Sequence, residues 1–235
     1  GLGMADVVPI SESMGRALMG SPFLATTLAS QALINGGSED QKAEWLPKIA
    51  GGSMATVALF EEEGDWDLKH LTASGITSGS EILLTGQKTF VMDAMASELI
   101  IASTLIDGEP RLVCIQTKSV PTDQIVREVV IDDTRRCYRV NLDGVTIPAA
   151  SVLPIDCFKE IENAALLLIS AEMSGGIAAT LNEIIEYLNT RKQFERYIGS
   201  YQALKHPAVD ILLGSEEARS LLYHAATIFE TGSDT

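Results

Sequence analysis

The spacing of hydrophobic positions changes twice along the chain. From residue 4 to residue 50, apolar side chains recur at the intervals of helices that pack on one face. Pro22 suits the first turn of a helix, and Ser38-Glu39-Asp40-Gln41 forms a capping box, in which Ser38 and Gln41 each satisfy the other's backbone amide. The capping box predicts a helix that ends near Gly51-Gly52. The first zone is therefore predicted to be helical.

Between residues 54 and 150 the apolar positions alternate with a period of two. We predict strands over 54–60, 81–85, 88–92, 98–105, 111–116, 125–131 and 137–142. Turn sequences separate several of these strands: Ser78-Gly79-Ser80, Asp107-Gly108 and Asp143-Gly144. This spacing indicates a small antiparallel barrel or sandwich.

From about residue 160 the helical spacing returns and continues to Tyr187. Gly175-Gly176 interrupts it, and because glycines weaken a helix we expect close helix–helix packing there. A last helix is predicted from about 202 to 230, with Pro207 bending it or delaying its start. The order helical, β, helical predicts an α+β fold with three domains, a helical N-terminal domain (1–52), a β-domain (53–155) and a C-terminal helical domain (156–235).

Charge and composition narrow the function classes. Against 32 Asp and Glu the chain has 17 Lys and Arg, a formal net charge of −15, which argues against nucleic-acid binding because phosphate neutralisation requires a basic face. Three separated cysteines and three histidines show no metal-ligand or disulfide spacing. The longest apolar run, 164–169, is far below the ~20 residues of a bilayer span, and the first residues lack a signal-peptide pattern. We expect a cytoplasmic protein without metal, nucleic acid or membrane as partners.

The densest basic cluster lies in "NTRKQFERYIGSYQALKH", residues 189–206. Four basic residues surround Phe194 there: Arg191, Lys192, Arg196 and Lys205. In so acidic a chain this cluster is the best candidate for an anion site, since a guanidinium fork and the amides of a helix start both suit a phosphate group. An ordinary basic helix C terminus that complements its own dipole explains the same residues.

Four stretches, in this order, resemble the acyl-CoA dehydrogenases, a flavoprotein family that oxidises acyl-CoA thioesters to enoyl-CoA. They are "GSEDQKAEWLPKIAGGS" (37–53), "LTGQKTFVMDAMASELIIAS" (84–103), "DDTRRCYRVNLDGVTIP" (132–148) and "RKQFERYIGSYQALKH" (191–206). The resemblance covers essentially all 235 residues. The family fold, a β-domain between two helical domains, agrees with the three zones. The resemblance also implies a chain that is incomplete for the family at both ends, with only two of the expected C-terminal helices.

The resemblance implies that the basic cluster contacts FAD. In the family, an Arg at the end of the helix before the turn binds the FAD pyrophosphate of a neighbouring subunit, and an aromatic residue packs near the adenine. These residues are Arg191 and Phe194 here, with Gln193 between them, and Gln202 matches a Gln that also contacts the cofactor. The implied partners are an acyl-CoA substrate, an electron-transfer flavoprotein or similar acceptor, and further subunits of a homo- or hetero-oligomeric dimer or tetramer.

The family's own flavin and acyl-CoA cleft is altered in this sequence. Where the family carries an ALTEPxAGSD-like segment, this chain has "ALFEEEGDWD" (58–67), with Phe60 at the Thr position and Trp66 near the substrate-contacting Ser position. Three successive acids, Glu61–Glu63, lie where a polyanionic ligand would approach. The family's WIT segment is Phe90-Val91-Met92, so Phe90 can still stack on flavin, whereas Met92 offers no hydroxyl. As an alternative, Phe90 and Met92 are simply strand-core residues.

The catalytic base is not identified by the sequence. The family uses a Glu carboxylate to remove the α-proton while hydride leaves the β-carbon for the flavin. One subgroup places this Glu near the start of the long helix, where this chain has Ala165; the other places it beyond residue 235. Glu160, Glu162 and Glu172 are off register, and we interpret them as solvated helix charges.

The sequence thus keeps the residues that act on a neighbour's flavin and substitutes those of its own cleft. We therefore expect a subunit of a hetero-oligomeric acyl-CoA dehydrogenase that completes the site of its partner. By family analogy alone, bulky substrates such as steroid side-chain CoA esters are expected. The alternatives are a homo-oligomeric enzyme with its own atypical FAD site and a catalytically inactive scaffold homologue.

Overall fold

Helices occupy both ends of the chain and strands its middle in the computed structural model, which describes residues 3–231. The helices of this range are α1 (Met4–Arg16), α2 (Phe23–Gly36), α3 (Glu39–Ala50), α4 (Phe158–Thr190) and α5 (Gln202–Thr231). The strands are β1 (Ala55–Ala58), β2 (Ser74–Ser78), β3 (Glu81–Thr85), β4 (Gln87–Met92), β5 (Leu99–Ile106), β6 (Glu109–Gln116), β7 (Ile125–Arg127), β8 (Cys137–Asn141), β9 (Thr146–Pro148), β10 (Lys192–Gln193) and β11 (Arg196–Tyr197). The predicted α+β fold is confirmed.

Two compact units share these elements. One is Gly20–Asn163, and the other combines Gly1–Met19 with Ala164–Thr235. We call them the β-unit and the helical unit. They group residues by contact rather than by type of element, so the predicted domain boundaries near 52 and 155 stay predictions.

Local signals in the sequence place the first helices correctly. α2 begins directly after Pro22, and α3 begins after the predicted capping box. The Gln41 amide donates to Ser38 Oγ (3.2 Å), and the Ser38 amide donates to Gln41 Oε1 (2.9 Å). Gln41 Nε2 also donates to the carbonyl of Ala150 (2.8 Å), so the capping residue ties α3 to the chain after β9.

The β-unit contains two sheets that share one apolar core. The larger has the order β1-β5-β2-β3-β9, with β6 added on β5, and the smaller has the order β4-β8-β7. Residues of both sheets contribute to the core, among them Ile82, Ile100 and Val140. This two-sheet arrangement corresponds to the predicted sandwich, with one difference: β1 and β2 run parallel to β5. Long connections separate these strands in sequence, so a hairpin does not dictate their direction.

Each predicted strand overlaps an observed one, but four short strands were missed: β2 and β9 in the β-unit, and β10 and β11 after α4. β2 reads as a turn because it contains Gly75 and three hydroxyl residues; a Cβ on Gly75 would lie 2.7 Å from the Ile82 side chain, so this strand needs glycine for packing. β9 contains only three residues and ends in proline. The strand predicted over 125–131 ends at Arg127, and the side chains of Val129 and Ile131 are fully exposed.

In the helical unit, α1 and α4 approach closely at paired glycines. A Cβ on Gly175 would lie 1.9 Å from the Glu12 carbonyl oxygen, and a Cβ on Gly15 would lie 2.0 Å from that of Glu172. The packing expected at Gly175-Gly176 is therefore confirmed. Ser11 Oγ adds a hydrogen bond to the Leu168 carbonyl at 3.0 Å.

A carboxylate of α1 also joins α4 and α5. Glu12 accepts hydrogen bonds from Arg219 Nε (2.7 Å), Tyr223 Oη (2.7 Å) and Ser174 Oγ (3.3 Å). The hydrogen bond from Arg219 lowers the pKa of Glu12 against the opposing effect of burial. One side chain thus connects three segments that are distant in sequence.

Two further features of the helices bear on the predictions. Pro207 lies inside α5 but does not delay its start, because the amides of Leu204 and Lys205 already bond the Tyr201 carbonyl (3.1 and 3.0 Å). Bending at Pro207 stays a prediction. By length and composition α4 could cross a bilayer, with a mean hydropathy of 1.6 over its most apolar 18 residues. Core helices of soluble proteins meet the same criteria, so the expectation of no membrane partner stays a prediction.

Candidate functional site

The basic cluster after α4 forms a minimal β-hairpin. β10 and β11 pair antiparallel, with Lys192 opposite Tyr197 and Gln193 opposite Arg196. The two connecting residues, Phe194 and Glu195, have φ values of 54° and 63°, the left-handed geometry of the tightest hairpin turns. Left-handed backbone is unusual for a bulky residue. The sequence thus places an aromatic ring at the tip of a strained turn.

The charged side chains of the hairpin are exposed to solvent. Phe194 is 82% exposed, and Arg191 is exposed as well. The cations lie over neighbouring rings: Arg191 over Tyr187 (5.9 Å), Lys192 over Tyr197 (4.8 Å) and Arg196 over Tyr201 (5.6 Å). Such contacts orient a cation without neutralising its charge. The cluster therefore remains positively charged and accessible in this chain.

The hairpin leads directly into α5. The Ile198 amide donates to the Arg191 carbonyl (2.9 Å), and Tyr201 Oη donates to the Gln193 carbonyl (3.2 Å). A 3₁₀ turn over 198–200 follows, and the exposed Gln202 is the first residue of α5. The fold thus gathers the predicted cofactor residues Arg191, Gln193, Phe194 and Gln202 on one short, exposed segment beside a helix N terminus.

In the β-unit, the two substituted cleft residues form an aromatic pair. The rings of Phe60 and Trp66 meet edge to face, with centroids 5.6 Å apart and planes at 78°. Phe60 is half-buried, and its carbonyl accepts the Thr89 amide (3.0 Å), whereas Trp66 is 82% exposed. A hydroxyl position of the family is therefore replaced by apolar surface.

The Phe90-Val91-Met92 segment belongs to β4 and contains a bulge. The pairing of β4 with β8 shifts between Lys88 and Val91, and Phe90 has a φ of 53°. Its side chain is 56% exposed, so the alternative of a strand-core residue is wrong for Phe90. Met92 is half-buried, and its carbonyl accepts a hydrogen bond from Thr56 Oγ1 (2.6 Å). Phe90 thus presents its ring outside the sheet.

Glu61 does not act as a free acid, contrary to its interpretation as part of an acidic run. Its carboxylate accepts hydrogen bonds from Lys88 Nζ (2.7 Å), from the Thr72 amide (2.8 Å) and hydroxyl, and from the Ala73 amide (3.1 Å). Lys88 is fully buried and also donates to Ser103 Oγ (3.0 Å). The sequence signal for this buried contact was Lys88 itself, a charged residue in the same two-residue alternation as the apolar Phe90 and Met92 along β4.

The Glu61–Lys88 pair has shifted pKa values with different causes. Burial raises the pKa of Glu61, but the hydrogen bonds from Lys88 and Thr72 outweigh it, and the net pKa is lowered. Burial lowers the pKa of Lys88 against the attraction of Glu61. We take the pair as charged at neutral pH, because the carboxylate accepts four donors and the ammonium has two acceptors.

Glu128, which the sequence analysis did not single out, holds the β4 bulge. Its carboxylate accepts hydrogen bonds from the Phe90 amide (2.9 Å), from Thr89 Oγ1 (2.8 and 2.9 Å) and from Arg139 Nε (3.3 Å). It follows the end of β7 and lies within the strand that the sequence predicted over 125–131. Nothing in the local sequence pattern marks it, because its partners lie on other strands.

The α4 carboxylates still offer no identified catalytic base. Ala165 is half-buried, Glu160 is exposed, and Glu162 pairs with Lys159 at 3.0 Å. Glu160 and Glu162 are therefore placed as expected for solvated helix charges. That interpretation is wrong for Glu172, because its Oε1 atom is buried where α4 meets α1. The cysteines also provide no nucleophile, since all three are buried. Burial is the main cause that raises the pKa of the Cys114 and Cys157 thiols to about 12.

Comparison with known proteins places this geometry in a family context. The sequence profile "Acyl-CoA dehydrogenase, C-terminal domain" matches residues 163–235, and "Acyl-CoA dehydrogenase, N-terminal domain" matches residues 1–53. Acyl-CoA dehydrogenase FadE12 of Mycobacterium tuberculosis is 28% identical over all of this chain and 64% of its own length. The chain spans about half to two thirds of the curated relatives that it matches.

Solved structures share the fold. The ChsE4–ChsE5 complex from Mycobacterium tuberculosis superposes with a TM-score of 0.85 at 23% identity, covering 98% of this chain and 62% of that chain. A glutaryl-CoA dehydrogenase from Mycobacterium smegmatis, in complex with FADH2, superposes with a TM-score of 0.77 at 20% identity, covering 87% of this chain and 55% of that chain. Both relationships extend across the helices and the sheets.

Proposed function

Because this chain belongs to the acyl-CoA dehydrogenase family, we propose that it is a subunit of an FAD-dependent oxidoreductase that acts on the CH–CH bond of an acyl-CoA thioester. We further propose that it lends FAD-binding residues to a partner subunit. The flavin, when bound, supplies the hydride acceptor. An electron-transfer flavoprotein or similar acceptor then reoxidises the complex.

The exposed hairpin is the observation that carries this proposal. Arg191 offers a planar guanidinium, and the adjacent start of α5 offers the positive end of a helix dipole. Both suit the pyrophosphate of FAD. Phe194 offers an exposed ring for the adenine side, and Gln202 adds an amide beside it. The donor set therefore fits the dinucleotide end of the cofactor.

The β-unit is the reason for proposing a partner. A flavin edge is best bound by hydroxyl and amide donors, but Phe60 and Met92 offer none from their side chains. Glu61 is committed to Lys88 and the Thr72 backbone. A neighbour of the same fold is a two-protein complex, ChsE4–ChsE5, which supports the proposal of a second, different subunit. We propose that the partner also supplies the catalytic carboxylate, in a cytoplasmic enzyme for bulky acyl groups such as steroid side chains.

The first experiment measures flavin content. The full-length protein expressed alone is expected to be colourless, and co-expression with a homologous chain encoded nearby should give a yellow complex that an acyl-CoA bleaches. One FAD per chain in the protein alone would contradict the shared-site proposal. A complex without flavin in any pairing would favour the scaffold alternative.

The second experiment tests the hairpin directly. Arg191→Ala is expected to weaken FAD binding to the complex by at least about tenfold, because a charge-assisted contact to the pyrophosphate is lost. Arg196→Ala is the matched control, since it removes an equal charge from the other strand of the hairpin. Equal losses in both variants would show that general positive charge, rather than a specific contact, holds the cofactor. Normal occupancy in Arg191→Ala would overturn the role of the hairpin.

A second candidate function is a homo-oligomeric enzyme with its own atypical FAD site. The exposed ring of Phe90 on the β4 bulge favours it, because a strained, outward aromatic residue remains where the family stacks flavin. A yellow protein in the first experiment is its expected signature.

A further inference from the structure

Phe90 adopts a backbone conformation that needs an external support. Its φ of 53° lies in the left-handed region, which bulky side chains rarely enter, and no glycine occupies the bulge. Such conformations persist when surrounding contacts fix them. The question is which contacts hold this bulge and its exposed ring.

The bulge separates Phe90 from the strand ladder. Lys88 is opposite Val140, but the register resumes only with Val91 opposite Tyr138. The Phe90 amide donates instead to Glu128 Oε2 at 2.9 Å. A side-chain carboxylate thus takes the place of the carbonyl that a regular strand would provide.

Glu128 is itself firmly placed. Its backbone amide donates to the Cys137 carbonyl at 2.9 Å, which fixes it at the end of β7 against β8. Its side chain is only 15% exposed, and Thr89 Oγ1 and Arg139 Nε bind the carboxylate from two other directions. The carboxylate therefore reaches the Phe90 amide as a rigid, charge-assisted acceptor.

We propose that Glu128 is a positioning residue that fixes the β4 bulge and so holds the Phe90 ring outward to stack on a planar ligand. The identity of that ligand as the isoalloxazine of FAD rests on the second candidate function, a homo-oligomeric enzyme with its own FAD site. Arg139 and Thr89 both donate hydrogen bonds to this carboxylate and so orient it. Glu128 acts through Phe90 and does not itself touch the cofactor.

The local geometry is tested by the Phe90 amide in the full-length protein. Its proton resonance should lie downfield and exchange slowly, since it bonds a carboxylate. Glu128→Ala should abolish both properties, and Glu128→Gln should retain them in part because the amide oxygen remains an acceptor. Thr89→Val is the matched control: it removes a donor to the same carboxylate but leaves the Phe90 bond. An unchanged Phe90 amide in Glu128→Ala would overturn the inference.

The functional role is tested with a double-mutant cycle of Phe90 and Glu128, measured on the flavin-containing form of the enzyme. Phe90→Ala and Glu128→Ala should each raise the FAD dissociation constant about tenfold and shift the visible circular dichroism of the flavin alike, as expected for loss of one stacked ring. The double variant should be no worse than either single variant, because Glu128 acts through Phe90. Independent, additive losses would mean a merely structural role and overturn the inference.

This outcome is separable from failure of the proposed function. If Arg191→Ala releases FAD but Phe90→Ala does not, the shared-site proposal stands and the positioning role for flavin is overturned. If the protein holds no flavin in any pairing, both flavin roles fail, whereas the Phe90 amide still reports whether Glu128 fixes the bulge.

Discussion

The hairpin after α4 and the cleft of the β-unit show opposite uses of polar side chains. In the hairpin, the cations lie over exposed rings and the aromatic tip projects from the fold. In the β-unit, the carboxylates of Glu61 and Glu128 accept hydrogen bonds from donors of the same unit, whereas the rings of Phe90 and Trp66 are exposed. The first region exposes its charged and aromatic side chains, whereas Glu61 and Glu128 of the second bind backbone amides of their own unit.

This contrast explains why charge alone is a poor guide to a ligand site. Glu61 and Lys88 are charged, as Arg191 is, but they form an ion pair with each other in the interior. Exposure and the absence of competing partners, rather than residue type, decide which group can bind a cofactor. Each of the following changes tests one side of the contrast.

The largest effect is expected from breaking the buried pair. Lys88→Met should destabilise the β-unit by about 3–5 kcal/mol, because Glu61 is left as an uncompensated buried charge. Adding Glu61→Gln to Lys88→Met should recover much of that loss. Urea unfolding followed by the buried Trp45 measures both.

Arg191→Met is the matched control for the hairpin, since it makes the same exchange at an exposed position. We expect a change within about 0.5 kcal/mol. A loss comparable to that of Lys88→Met would show that the hairpin cation is structural and would erase the contrast.

Acid should weaken the β-unit through Glu61. Its folded pKa is below the ordinary value, so the stabilisation is present above the unfolded pKa and is lost as the pH falls through the folded pKa. The urea midpoint should therefore fall on acidification below about pH 4.5, the ordinary pKa of the carboxyl. Glu61→Gln should flatten this part of the profile, and Glu109→Gln, at an exposed carboxylate, should not. An equally steep profile in Glu61→Gln would assign the acid sensitivity to other groups.

A small gain in stability is expected at the hairpin tip. Replacing Phe194 and Glu195 by Asn and Gly supplies residues that favour the left-handed turn, so the fold should gain up to about 1 kcal/mol. The same change removes the ring, and FAD binding to the complex should weaken. Thermal unfolding and flavin titration measure the two effects. A loss of stability would show that the Phe194 ring supports the fold.

Local signals predicted those parts of the structure that local forces fix. The capping box at Ser38 and the turn at Asp107-Gly108 depend on residues within four positions of each other, and both are confirmed. β2 was missed because Gly75 is there to accommodate Ile82 across the sheet, which no local pattern reveals. The same limit hid Glu128, whose partner Phe90 lies 38 residues away.

The residues of the candidate site also divide into a group that is local in sequence and a group that depends on distant contacts. The hairpin residues are contiguous in sequence, so the resemblance could name them as a group. The environment of Phe60, Phe90 and Glu61 depends on contacts between strands, and the sequence indicated the substitutions but not the pairings that accompany them. Their roles toward a cofactor stay predictions.

Glu12 has a consequence for the order of folding during synthesis. α1 leaves the ribosome before the other described helices, but its partners Ser174, Arg219 and Tyr223 are made last. At about 5–20 residues per second, the intervening Gly20–Asn163 takes roughly seven to thirty seconds to emerge and can form its own core meanwhile. α1 must therefore wait with the residues around Gly15, which later pack against α4, still uncovered.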